Sequence, residues 1–312
     1  MNKKRIVIGA RGSALSLTQA RWTAARLEEA HPGLVVEFEI IKTKGDKILD
    51  APLAKVGGKG LFVKEIEDAL LEGRVDLAVH SMKDVPTDIP AGLVLASVPK
   101  REDFRDALVS RGGERLESLP RGARVGTSSL RRQAQLLFLR PDLKIETLRG
   151  NLDTRLRKLV DENFDAIVLA AAGLNRMNLQ DRASQLLDPD VMLPAIGQGA
   201  LGLEVRVDDP DLLDLVAALH HEPTAVCVAA ERAFLLTMEG GCQVPLGALA
   251  RLDRGRLFLT GLVADPEGRR LYKDSLEVAA ARAEEAGRVL AGKLLDRGGR
   301  EIMAELYGSS RD

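Results

Sequence analysis

Arginines crowd the places where this chain passes from a predicted strand into a predicted helix. Gly9-Ala10-Arg11-Gly12-Ser13 follows the first apolar segment. Gly126-Thr127-Ser128-Ser129-Leu130-Arg131-Arg132 opens one amphipathic stretch and Arg149-Gly150-Asn151-Leu152-Asp153-Thr154-Arg155 opens another. A helix N-terminus already carries roughly half a positive charge, so its first turn favours Asp or Glu, and a cation there costs roughly a few tenths of a kcal/mol unless an anion compensates it. Any single arginine could pair with a surface carboxylate. The set, with hydroxyls and glycines recurring beside it, points to a bound polyanion carrying carboxylate or phosphate groups.

Two further positions could do chemistry. Ala78-Val79-His80-Ser81-Met82-Lys83-Asp84-Val85-Pro86 is an apolar run that ends in a Lys-Asp pair and is stopped by proline. At the carboxyl edge of a parallel sheet, Asp84 would lie among cations that favour its ionised form, and such a carboxylate can stabilise positive charge developing on a substrate. A surface pair with Lys83, or an Asx turn before Pro86, is the plain alternative. Cys242 lies in the glycine-flanked loop Glu239-Gly240-Gly241-Cys242-Gln243-Val244-Pro245, where a thiol is accessible as a nucleophile or an attachment point; no histidine is near it in sequence. Cys227, in a helical pattern of Ala, Val and Phe, reads as buried and inert.

Composition excludes several classes. With 45 Lys+Arg against 46 Asp+Glu in 312 residues, the net charge of −1 lacks the basic excess of a nucleic-acid binder, and the 3% aromatic content offers few stacking platforms. No run approaches the ~18 apolar residues of a membrane span, and a cytoplasmic location is expected. Two cysteines make no disulfide framework, and the four histidines form no HExxH, so no metal site is expected. Gly57-Gly58-Lys59-Gly60 completes neither a Walker A loop nor GxGxxG, and Gly126-Thr127-Ser128-Ser129-Leu130 lacks the last glycine of a nucleophile elbow.

The elements that must position these residues follow from periodicity. Strands are predicted from Arg5 to Gly9, Val35 to Thr43 and Asp76 to His80. Between them lie helices from Ser13 to Ala30, with Ser16 and Gln19 at capping-box spacing, and from Leu61 to Glu72. A second alternation follows the charged run 100–106: strands near 107–110, 124–126, 144–148 and 166–170, with helices over 129–139 and 152–162. Ile196-Gly197-Gln198-Gly199-Ala200 is a flexible segment before a helix over 211–220. Past Glu222 come a helix over 224–238, three strands (244–252, 257–264, 272–278) and terminal helices over 279–306. The βαβαβ rhythm implies mostly parallel sheets carrying ligands at their strand ends.

Taken together, the residues Ile8-Gly9-Ala10-Arg11-Gly12-Ser13, Val79 to Pro86, Gly126 to Gln133, Leu148 to Leu152, Pro194 to Gly199 and Glu231 to Gly247 resemble the porphobilinogen deaminase (hydroxymethylbilane synthase) family along nearly the whole chain. Phe104 departs from the family pattern, which has proline there.

The resemblance implies an α/β fold of two periplasmic-binding-protein-like (type II) domains with mixed, mostly parallel sheets around a cleft, plus a small C-terminal α+β domain. Domain 1 would span 1–99 and 200–217, domain 2 would span 105–193, and domain 3 would span 222–312. It implies a transferase that joins four porphobilinogen molecules head to tail on a covalent dipyrromethane primer, releases ammonia at each step and hydrolyses off hydroxymethylbilane. The dipyrromethane would be in thioether linkage to Cys242. Asp84 would be the catalytic carboxylate. Lys83, Thr127, Ser129, Arg131, Arg132 and Arg155 would hold cofactor carboxylates, and Arg11, Ser13, Arg149 and Arg176 would meet substrate. Lys59 and Phe62 would belong to a lid. A monomer, with no nucleic-acid or membrane partner, is expected. The alternative is a non-enzymatic anion-binding sensor on the same scaffold, which requires neither a Cys242 adduct nor Asp84.

Overall fold

Short runs of Ile, Val, Leu and Ala separated by capped helices build this protein. The computed structural model describes residues 3–47, 63–238 and 244–308. Lys59, Phe62 and Cys242 lie outside them. The described residues form strands β1 (Arg5–Ala10), β2 (Val35–Ile40), β3 (Leu77–Ser81), β4 (Leu93–Ser97), β5 (Asp106–Ser110), β6 (Arg124–Gly126), β7 (Lys144–Glu146), β8 (Ala166–Ala170), β9 (Gln185–Leu187), β10 (Leu201–Arg206), β11 (Leu246–Asp253), β12 (Arg256–Ala264) and β13 (Leu271–Ala279). The chain divides into two compact units, Met1–Glu102 with Gly199–Ala225, and Asp103–Gln198 with Val226–Asp312.

The first unit is built on the sheet β2-β1-β3-β10-β4. β1 runs parallel to β2 and β3, while β10 is antiparallel to β3 and β4. Strand side chains alternate between faces, so Ile6, Ile8, Leu77, Val79, Leu203 and Val205 share one face. That face is covered by Ala20, Ala24 and Leu27 of the helix Ala14–Ala30 and by Leu212, Leu215 and Val216 of the helix Pro210–Ala217. Ala78 and Leu93 face the other way, onto Ile66, Ala69 and Leu70 of the helix Lys64–Leu71.

The second unit repeats the plan. Its sheet has the order β7-β6-β8-β5-β9, with β6 parallel to β7 and β8, and β5 antiparallel to β8 and β9. Leu108, Val125 and Val168 pack with Leu136 of the helix Leu130–Leu139; Ala107, Ile167 and Leu169 pack with Leu156 and Leu159 of the helix Leu152–Asp161. The antiparallel sheet β11-β12-β13 completes the unit, its Leu249, Leu262 and Ala264 meeting Ala134 and Leu193.

Each five-stranded sheet is therefore mixed, with two parallel and two antiparallel pairings. The parallel half is the βαβαβ run. The antiparallel half comes from β4, β5, β9 and β10, of which only β5 is among the expected strands. The capping box expected at Ser16 and Gln19 does not form: Ser13 is the N-cap, its hydroxyl accepting from the Ser16 backbone N–H at 3.3 Å. The expected terminal helical stretch breaks at Gly298, whose φ of +120° permits the turn and whose missing Cβ leaves room for the Tyr272 ring.

Candidate functional site

In the first unit the site grows from the carboxyl ends of β1 and β3. Arg11 follows β1, and its backbone N–H donates to Ser16 Oγ at 3.2 Å, folding the junction over the start of the helix that Ser13 caps. Ser81 ends β3, held by Gln19 Nε2 donating to its hydroxyl at 3.0 Å. One turn of 3-10 helix, Met82–Asp84, then departs from the strand. The Met82 N–H donates to the Ala200 carbonyl at 3.0 Å, and the Val85 N–H closes the turn onto the Met82 carbonyl. The turn presents Lys83 and Asp84 to solvent while Met82 and Val85 are buried.

A cleft forms there, with Arg11, Ser13, Gln19, His80, Ser81 and Asp84 in its lining. Three residues expected at the site, Arg11, Ser13 and Asp84, thus come together in one place. Gln19, His80 and Ser81 were not singled out for it. The available signal was alternation: in a strand with Val79 on the core face, His80 must point to the opposite face, and Ser81 is the last residue before the turn.

Behind the cleft wall lies buried charge. His80 is 5% exposed and its Nε2 lies 2.8 Å from Glu204 Oε2 on β10, itself 1% exposed. Glu67, from the helix Lys64–Leu71, shares the region; burial, and then the Glu204 charge, push its carboxyl up to about 7.

The second unit gathers arginines. The buried Thr127 ends β6's excursion, and its hydroxyl accepts from the Ser129 N–H at 3.1 Å. Ser129 is the N-cap of the helix Leu130–Leu139, but its own hydroxyl makes no capping bond. Arg131 and Arg132 in the first turn point inward and are each 5% exposed. Both meet Asp106 on β5, which is fully buried. Arg131 Nη1 donates to Asp106 Oδ2 at 2.7 Å and to the Leu193 carbonyl at 2.6 Å. Arg132 donates Nε and Nη2 to Asp106 Oδ1 at 3.0 and 2.7 Å, and Nη1 to the Val168 carbonyl at 2.8 Å. Gln198 Nε2 adds a bond to Asp106 Oδ1 at 3.1 Å. Burial alone would raise the Asp106 carboxyl, but the two guanidinium groups hold it far below the usual carboxylate range.

Further along, Gly150 at φ +114° turns the chain into Asn151, which caps the helix Leu152–Asp161 by accepting from the Thr154 N–H at 3.0 Å. Half-buried Arg149 makes no ion pair or hydrogen bond with its side chain among the described residues, whereas Arg155 Nε donates to the Gly150 carbonyl at 2.8 Å. Arg176 ends the short helix Ala171–Arg176 that follows β8. Cys227 is buried in the core of the C-terminal sheet and helices. Glu231 of the same helix (Glu222–Thr237) is also fully buried, accepting from the backbone N–H groups of Gly197 and Ala250 at 2.7 and 2.8 Å.

Comparison with known proteins gives the chain's family. Residues 6–214 match the family described as "Porphobilinogen deaminase, dipyromethane cofactor binding domain", and residues 225–296 match "Porphobilinogen deaminase, C-terminal domain". The chain is 58% identical over 306 residues to the porphobilinogen deaminase of Syntrophotalea carbinolica, covering 98% of this chain and 97% of the relative. It is 55% identical to that of Syntrophobacter fumaroxidans over 98% of this chain and 99% of the relative, and 54% identical to that of Geobacter metallireducens over 98% and 96%. The cleft carboxylate, the inward-facing arginines and the motifs that carry them are thus those of a chain that belongs to the porphobilinogen deaminase family.

Proposed function

We propose that Asp84 is the catalytic carboxylate, that Arg131 and Arg132 together with Lys83, Thr127, Ser129 and Arg155 hold the carboxylates of a dipyrromethane attached to Cys242, and that Arg11, Ser13, Arg149 and Arg176 meet incoming substrate. The activity is that of the family: four porphobilinogen molecules condense head to tail, ammonia leaves at each step, and hydroxymethylbilane is released by hydrolysis, within tetrapyrrole biosynthesis. Family membership over 98% of the chain leaves the non-enzymatic sensor without support.

The donor set in the second unit fits the cofactor. Two buried guanidinium groups share one buried carboxylate, leaving one positive charge in excess, and Arg131 offers only Nη1 to Asp106 and Leu193. An uncompensated interior cation is costly, so an incoming carboxylate is drawn to it. This excess charge is the observation that carries the assignment. When bound, the dipyrromethane supplies the pyrrole carbon on which the chain is extended.

In the first unit, Asp84 stands exposed on a turn pinned at both ends, so its carboxylate is preorganised rather than recruited. As ammonia leaves the substrate's aminomethyl group, positive charge spreads onto the pyrrole, and Asp84 offsets it from a fixed position. Arg11 and Ser13, at the mouth of the Ala14–Ala30 helix, suit the acetate and propionate groups of porphobilinogen. Lys59 and Phe62 complete the proposal as a lid, and the enzyme is read as a cytoplasmic monomer without nucleic-acid or membrane partners. Among the described residues, no single helix is long and apolar enough to cross a membrane.

Intact mass decides the cofactor assignment. Wild-type protein incubated with porphobilinogen should be heavier than its 33.8 kDa sequence by a covalent dipyrromethane or a longer pyrrole chain. Cys242→Ser should stay at the bare mass. A wild-type protein still at the bare mass overturns the assignment.

A further inference from the structure

The mechanism above leaves unused the buried titratable group nearest the cleft. His80 and Glu204 sit on neighbouring antiparallel strands, with Gly202 opposite His80 and Ala78 opposite Glu204, so two small residues open the space in which the long side chains meet. Against β4 the register slips by one residue between Leu203 and Glu204, with Ala96 of β4 as the extra, unpaired residue. Glu204 Oε2 meets His80 Nε2 at 2.8 Å. Its other oxygen, Oε1, is buried with no hydrogen-bond partner among the described residues. A carboxylate so placed has its imidazole partner as its means of staying charged in the interior. The imidazole in turn lines the cleft one residue before Ser81 and four before Asp84.

We propose that the His80–Glu204 pair is a positioning device for Asp84: it fixes the end of β3 from which the Met82–Asp84 turn departs, and turnover depends on its ionisation as well as on that of Asp84. A carboxylate that holds one ring nitrogen sets the tautomer and orientation of the imidazole, the logic by which buried acids orient histidines elsewhere. In the competent form the imidazole faces the Glu204 carboxylate, whose other oxygen has no hydrogen-bond partner among the described residues; without that contact the strand end loosens. Other charged groups face this pair. Glu67 of the Lys64–Leu71 helix lies against it with its carboxyl pushed up to about 7 by burial, Asp68 adjoins Glu67, and Arg11 and Asp84 line the cleft in front. Arg206, next along the same face of β10, is engaged by Asp76 and Asp209.

This inference rests on the assignment of Asp84, and its test separates the two. kcat/KM of the holoenzyme is measured against pH for wild type, Glu204→Gln, His80→Gln and Glu67→Gln, with 15N NMR of the His80 ring over the same range. Glu204→Gln still accepts the Nε2 proton but withdraws the charge that favours imidazolium. The alkaline limb of its profile should move about one pH unit lower, and the ring titration should move with it. His80→Gln still donates to Glu204 but cannot ionise, so that limb should vanish; this variant decides alone if Glu204→Gln does not fold. An alkaline limb untouched in both variants overturns the proposal, as does a limb displaced by Glu67→Gln instead. An equal loss at every pH in Glu204→Gln, with the ring titration unmoved, leaves the pair merely structural and also overturns it. If the Asp84 assignment alone is at fault, Asp84→Asn turns over normally while the limb still follows Glu204.

Discussion

The two five-stranded sheets share a strand order and the sense of every pairing, and each buries an acid on its antiparallel strand beside the third parallel one. They differ in the base that meets it. In the first unit Glu204 of β10 meets His80, with Glu67 close by, its carboxyl raised to about 7 by burial and then by Glu204. In the second, Asp106 of β5 meets Arg131 and Arg132, which stay charged at any accessible pH. One scaffold thus carries an acid–histidine group beside the cleft in which Asp84 stands and an acid held between two arginines, a set suited to holding carboxylates. The difference matches the roles proposed for the two sites: a reacting centre must respond to protons, whereas an anchor must not.

The largest expected effect breaks the first side of this comparison. Asp84→Asn removes the charge from a solvent-facing turn whose backbone bonds are made by Met82, Val85 and Ala200, so the fold and covalent attachment at Cys242 should survive. Turnover should fall by roughly a hundred- to ten-thousand-fold, the range for losing a preorganised electrostatic or acid-base group. Steady-state kcat with intact mass checks this; near-normal kcat sinks the role of Asp84.

Next is the anchor. Asp106→Asn leaves two buried guanidinium groups with no counter-charge, and breaking a buried ion pair by removing one partner costs about 3–5 kcal/mol. Thermal unfolding should show that loss at neutral pH, and mass spectrometry should show bare polypeptide. The sign with pH follows from the depressed Asp106 carboxyl. Its stabilising contribution is present above the unfolded-chain value of about 4 and is lost as pH falls towards the folded one, so wild type and Asp106→Asn should converge on acidification. A variant as stable as wild type, with cofactor attached, would show that the arginines are held by their carbonyl bonds alone.

How much of this contrast could be read from sequence depends on how local each feature is. The helix starts near 13, 129, 152 and 211 were legible to within a residue because caps act over three residues, although the cap of the first helix moved from Ser16 to Ser13, while those expected at 224 and 279 lie two and four residues from Glu222 and Ala283. The arginine-rich junctions were legible as cation placements against the helix dipole. Their partner was not: Asp106 lies 25 residues before Arg131, and no local pattern links a strand's first residue to a helix two elements later. β10 escaped for another reason. Leu201, Leu203 and Val205 alternate with Gly202, Glu204 and Arg206, a strand signal masked by the glycine-rich run before it, and with the strand went the acid that meets His80. Asp84 was visible as a residue at a strand end, and the role proposed for it only through the family motif around it.

The smallest expected effect sharpens the titratable side. Glu67 is almost fully buried, and its carboxyl is raised to about 7, first by burial and then by Glu204. The folded chain therefore holds a proton on Glu67 that the unfolded chain releases near pH 4.5. The sign is that of a raised carboxyl: stability is fully present below the unfolded value and declines as pH rises through 7, where folded Glu67 must ionise beside Glu204. Glu67→Gln keeps the shape and neutral polarity of the protonated form and cannot ionise. The variant should match wild type near pH 5 and exceed it at pH 8 by about 1 kcal/mol once solvent screening of the shift is allowed for. Denaturant unfolding at the two pH values measures this directly. A difference independent of pH would mean that Glu67 contributes packing alone, and a lower stability at pH 8 would mean that its ionised carboxylate is a needed partner of His80. The corresponding test at Asp106 has the opposite sign, because there a charged acid is stabilised by burial among cations. Measuring both within one chain separates the two uses of interior charge.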